Sequence, residues 1–157
     1  MRAGRKSAMW AAGVAVAAIV FVNGCAEQRA SMSSMTNRME SAAAATGTTL
    51  SGSQEVPPVN TQASGVSTIQ VIGDKTVTGN VQTTGMTGTV AHIHMGASGQ
   101  NGPVIIPLVK SGDNTWAVPG NTVLSSAQFD AFRAGNLYVN VHSAAYPAGE
   151  VRAQLKQ

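Results

Sequence analysis

The chain has 157 residues, enough for one domain plus terminal extensions. Only 11% of residues are charged and 4% aromatic, while Gly, Thr, Val and Ala abound, which favours short strands and turns over helices. The formal charge of +3 marks no basic surface: beyond Arg2, Arg5 and Lys6, seven basic residues meet seven acidic ones, which gives no ground for a nucleic-acid partner.

Met1 to Lys6 is a basic leader, and Ala8 to Val22 is a continuous apolar run too short for a comfortable membrane span. Val22-Asn23-Gly24-Cys25 follows. It resembles the lipobox of bacterial lipoproteins, which implies a signal peptide over 1–24 and lipidation of Cys25. The other reading is a secretory signal with a stray cysteine. Several acyl chains on one residue suffice for stable membrane anchoring. Ala26, rather than Asp, implies the outer membrane by the rule of enteric bacteria. Cys25 is the single cysteine, so a lipidated chain has no disulfide and its core alone must hold the fold. Residues 25–47 read as a tether rich in Ser, Ala, Thr and Met. Met32, Met35 and Met39 are soft ligands suited to Cu(I), but no His or Cys accompanies them, so a flexible tether is expected.

The domain itself spans 48–157. Thr48 to Ser53, Gly65 to Ile72 and Thr76 to Thr83 read as strands, the last two forming a hairpin across Gly73-Asp74-Lys75. Pro57 and Pro58 confine the segment between the first two to an edge or loop. Thr89 to Met95 alternates strictly and runs into Gly96 to Pro103, a turn with three glycines. Val104 to Val109 is an apolar run, expected as a buried strand interrupted by Pro107. Thr115 to Val118 is a short strand carrying Trp116. Leu124 to Gly135 is the one helix: Ser125 caps it, Gln128 completes a capping box, and Gly135 closes it. Leu137 to His142 and Gly149 to Lys156 are the last strands. The sum is an all-β domain, an antiparallel Greek-key β-sandwich of the immunoglobulin or superoxide-dismutase kind, with one short helix.

The chemistry lies in two of these strands. Side chains alternate across a strand. In the first, Ala91, Ile93 and Met95 share one face and His92 and His94 the other. In the second, Leu137, Val139 and Val141 share one face and Tyr138, Asn140 and His142 the other. These are the only three histidines in the chain, and all three take the parity opposite the core. If the two strands pair, three imidazoles can meet one ion. An imidazole-only set suits Cu(II), Zn(II) or Ni(II), and copper or zinc is the expected cofactor. Asn140 and Glu150 are candidates to orient a ring, although Glu150 could equally pair with Arg152. The plainer reading is that the rings hydrogen-bond to one another and close one end of the sandwich. No hydrolase constellation is evident, and Tyr138 and Trp116 read as packing residues.

Leu50-Ser51-Gly52-Ser53-Gln54-Glu55-Val56-Pro57-Pro58 resembles the opening of the chordin-type CHRD domain. Ala91-His92-Ile93-His94-Met95-Gly96, Gly99-Gln100-Asn101-Gly102-Pro103, Leu137 to His142 and Pro147-Ala148-Gly149-Glu150-Val151-Arg152 follow in that family's order. The resemblance covers Leu50 to Leu155. It implies a fold more than an activity: a structural or protein-interaction module of the cell envelope. A more distant resemblance joins His92 and His94 to the copper-binding pair of the Cu/Zn superoxide dismutases. That family needs further histidines, a zinc aspartate and a disulfide. This chain lacks the histidines and the disulfide cysteines, so dismutase activity is not expected.

Overall fold

The computed structural model describes residues 47–157. The leader, Cys25 and the methionines of the tether lie outside the described residues. The strands are β1 (Thr48–Ser51), β2 (Ser64–Ser67), β3 (Gln70–Val71), β4 (Val77–Thr78), β5 (Asn80–Thr84), β6 (Gly88–Met95), β7 (Val104–Pro107), β8 (Val109–Gly112), β9 (Thr115–Ala117), β10 (Leu137–Ser143) and β11 (Val151–Gln154). Among the described residues one α-helix, α1 (Ser126–Arg133), and a 3-10 turn over Gly52–Gln54 complete them. Among the described residues no helix is long and apolar enough to cross a membrane.

Nine strands form one sheet in the order β7-β6-β10-β11-β1-β2-β5-β9-β8, and β3 and β4 form a separate ribbon. Strands β7 and β8 stand at opposite edges of that order, yet only Leu108 separates them in sequence. One residue spans about 3.5 Å at most. The sheet must therefore curl until its edges meet, as a flattened barrel. Neighbours such as β6 and β10, or β11 and β1, are distant in sequence, which is the Greek-key pattern the alternation anticipates.

The interior is built by one parity of each strand. Leu50, Val81, Ile93, Trp116, Val139, Val141 and Val151 are each no more than 1% exposed. A Cβ on Gly88 would overlap the Trp116 ring, so β9 packs across the interior against β6.

Some expected elements are redrawn. The hairpin forms, but as two short ladders, β2 with β5 and β3 with β4. The break falls at Gly79, whose φ of +113° suits glycine and whose Cα faces the Thr68 carbonyl too closely for a Cβ. The 104–109 run is not one buried strand. It is the corner where the chain passes from one sheet edge to the other. Val104 and Val109 are 47% and 56% exposed, Ile106 and Leu108 are buried, and Ile105 is half-buried against the core.

The helix starts where its cap places it. Gln128 N donates to Ser125 Oγ at 3.2 Å and Ser125 N donates to Gln128 Oε1 at 2.8 Å. Gly135 follows the C-cap at φ +73°. Ser125→Ala should lower stability by about 1 kcal/mol. In urea the midpoint should fall while the slope stays unchanged.

Candidate metal centre

Strands β6 and β10 pair antiparallel, with Tyr138 opposite His94, Asn140 opposite His92 and His142 opposite Val90. This register makes His142 the diagonal neighbour of His92, within reach of a long side chain. The three rings gather on the face away from the core. Their centroids are 4.9 Å apart for His92 and His142, 5.7 Å for His92 and His94, and 6.4 Å for His94 and His142. One ligand atom from each ring lies within 4.8 Å of the others. A tetrahedral zinc at about 2.0–2.1 Å from each nitrogen holds its donors about 3.3–3.4 Å apart. His92 Nδ1 and His142 Nε2, at 3.1 Å, already stand near that spacing.

Backbone carbonyls set two of the rings. His142 Nδ1 donates to Pro147 O at 3.0 Å, which leaves Nε2 a lone pair. His92 Nδ1 donates to that lone pair. His94 Nδ1 donates to Gly102 O at 3.0 Å, and its Nε2 stands 3.0 Å from Asn140 Oδ1. A carbonyl on the far nitrogen is how proteins orient a metal-binding imidazole. Burial, then the neighbouring His142 and His94, pushes the His92 pKa below its ordinary value. Burial also lowers that of His142; the Pro147 carbonyl opposes the shift and His94 adds to it. Both changes favour the neutral ring, the form that ligates.

Around the rings lies a buried polar layer that strand alternation alone did not reveal. All seven residues of β10 are buried, on both faces. The outer face is covered by the turns that follow β6 and β10. Tyr138 stacks on His94, centroids 4.7 Å apart and planes 5° from parallel. On the other side of Tyr138 sits the Arg152 guanidinium, 3.4 Å from the ring centroid. Arg152, the candidate partner of Glu150, is 1% exposed. It donates to Gln100 O at 3.0 Å, Ala97 O at 3.2 Å, Gln154 Oε1 at 3.3 Å and Asn101 Oδ1 at 3.4 Å. The glycine turn is therefore a cradle of oxygens for a cation, built from this chain's own arginine. Among the described residues Glu150 hydrogen-bonds to neither an imidazole nor an arginine. Its Oε1 accepts from Thr61 Oγ1 at 2.7 Å, because β11 begins only at Val151 and residue 150 turns toward the 55–61 segment.

Glu55 carries no expected role, yet it is 5% exposed, and its Oε1 has no hydrogen-bond partner among the described residues. Burial pushes its pKa up to about 7, against the opposing pull of the Arg152 charge, the Asn140 side chain and the Val56 backbone. Both Glu55 Oε1 and Asn140 Nδ2 crowd the Cα of Gly149, where φ is +131° and no Cβ would fit. Glu55 and Arg152 each lie in one of the sequence segments that carry the chordin-type resemblance, and that position was the available signal for them.

No curated protein and no solved structure matches the chain. The CHRD domain family model matches residues 46–155, which spans β1 to β11 and every residue of the histidine cluster and its polar layer. On that match the chain belongs to the CHRD domain family.

Proposed function

We propose that this CHRD domain binds a divalent transition metal, copper or zinc, through His92, His94 and His142, on a protein anchored by lipid at Cys25 to the bacterial outer membrane. The observation that supports the metal is the gathering of one ligand atom from each histidine within 4.8 Å, on strands whose alternation sends all three rings outward. Three imidazoles bind either ion, and with no thiolate the centre would not be of the blue-copper kind. Anchoring rests on the Val22-Asn23-Gly24-Cys25 sequence.

Titration calorimetry of the domain with Zn(II) and Cu(II) tests the metal. Binding near one equivalent is expected. The joint substitution His92→Ala with His94→Ala should abolish it, and unchanged heats would refute the assignment. Labelling of cells with a radioactive fatty acid tests the anchor: label should follow the protein and vanish in Cys25→Ala.

A second reading has an observation of its own. Among the described residues every ring nitrogen of the cluster except His92 Nε2 has a hydrogen-bond partner. Such a cluster can close the sandwich with no ion, leaving a structural or protein-interaction module. Under that reading the calorimeter shows nothing, and the triple alanine variant loses stability.

A further inference from the structure

We propose that Asn140 is a latch on the metal centre, holding His94 out of coordination until an ion displaces it. The inference rests on the metal-binding reading above and concerns how that site is loaded.

The three histidines are not equivalent. His92 and His142 face each other through ring nitrogens 3.1 Å apart, and the remaining nitrogen of His142 is held by Pro147 O. An ion entering between them displaces one proton and no protein group. His94 differs. Its Nδ1 is committed to Gly102 O, so only Nε2 can ligate. That atom is taken by the Asn140 side chain at 3.0 Å. A neutral imidazole donates from one nitrogen only, so with Nδ1 donating, Nε2 offers a lone pair. Asn140 can meet a lone pair with its Nδ2 or a ring proton with its Oδ1. In both arrangements the atom a metal needs is engaged.

The latch is itself held. Asn140 is 2% exposed, lies directly opposite His92 across the β6–β10 ladder, and has the Glu55 carboxyl beside its amide. A buried amide engaged by His94 and packed beside Glu55 does not drift away from His94. The metal must compete for Nε2 against a hydrogen bond between buried groups. Two states of the centre follow: an ion held by His92 and His142 alone, and an ion held by all three after the Asn140 amide turns aside. The first needs no rearrangement; the second is tighter by one ligand.

Removing the latch should tighten binding. Asn140→Ala and the near-isosteric Asn140→Leu are expected to raise zinc affinity about three- to tenfold, the range of one hydrogen bond. Imidazole and amide nitrogen NMR on the unsubstituted domain reads the same event without mutation. On zinc saturation His94 Nε2 should take a metal-bound shift while the Asn140 side-chain amide signals move. The proposal is overturned if zinc binds but both variants bind it no more tightly. It is also overturned if His94 coordinates in the unsubstituted domain while the Asn140 amide stays unmoved. Absence of any zinc heat with the unsubstituted domain overturns the metal reading itself, and the latch with it. Should neither variant fold, the NMR result on the unsubstituted domain decides alone.

Discussion

Arg152→Met is expected to destabilise the domain by about 3–5 kcal/mol, and by more at pH 8 than at pH 5. Methionine keeps an unbranched stem against Tyr138 but carries no donor. Four oxygen partners, at Gln100, Ala97, Gln154 and Asn101, lose a charge-assisted bond. The turn after β6 keeps its other anchors, Asn101 to Val56 O, Gln154 to Gly96 O, and Gly102 to His94 and Tyr138, but loses the charge at its centre. The pH dependence comes from Glu55. Its folded pKa, about 7, lies above the ordinary carboxyl value of 4.5. A carboxyl raised in the fold contributes stability that is fully present below 4.5 and is lost as pH rises through 7. Full expression of that shift is about 3 kcal/mol, and solvent reaching the carboxyl reduces it. Arg152 is the charge that holds the Glu55 value down. Without it the carboxyl climbs further, so an ionised Glu55 at pH 8 costs the variant more than the parent. At pH 5 both carry a protonated Glu55 and only the hydrogen bonds differ. His92 and His142, shifted the other way, lose their contribution as pH falls, but they do so in parent and variant alike. Urea denaturation at the two pH values reads the difference directly. The same loss at both would show that Glu55 and Arg152 are uncoupled. Glu55→Gln in the parent should remove the part of the stability loss between pH 5 and 8 that Glu55 contributes, leaving the opposite pH dependence of the histidines.

Alternation proved a sound guide wherever a strand has a core on one side. Ile93 and Val139 go in, His92 and His142 go out, and pairing of β6 with β10 places the rings together. Parity predicts a side of the sheet but not what covers that side. Arg152 has outward parity and is among the most deeply buried residues, because the 96–103 turn folds over it. Glu55 sits in a segment with no period at all, and its burial depends on the turn around Gly149. Such long-range coverings leave no mark in local spacing. The corner at Leu108 shows the opposite limit. Six apolar residues in a row signal burial, but passage between two sheet edges leaves half of them exposed. Periodicity also has no means to say that Asn140, opposite His92 in the ladder, would turn its amide to His94.

Gly102→Ala should weaken zinc binding about 10- to 100-fold, the range for groups that orient a ligand from behind. Gly102 serves the centre through its backbone alone. Its carbonyl accepts from His94 Nδ1 at 3.0 Å, and its N–H donates to Tyr138 Oη at 3.2 Å. One residue thus sets the ring that ligates and the ring stacked on it. The turn lies so close to β6 that a Cβ on residue 102 would overlap the Met95 carbonyl oxygen, and would press on the Gly96 Cα at 3.2 Å. Both obstacles are backbone, so neither can rotate away. The turn must lift, and His94 loses the acceptor that keeps its Nε2 free of a proton. Repacking of that kind costs about 1–3 kcal/mol in stability as well. Gly99→Ala separates the two effects. Gly99 lies in the same turn at φ +75°, with nothing within 4 Å of an added Cβ. Alanine there bears only the left-handed backbone strain, about 1–2 kcal/mol. It should therefore lower stability to a similar degree while leaving zinc affinity at the parent value. If the two alanine variants bind zinc alike, loosening of the turn explains everything and the Gly102 carbonyl is not what orients His94.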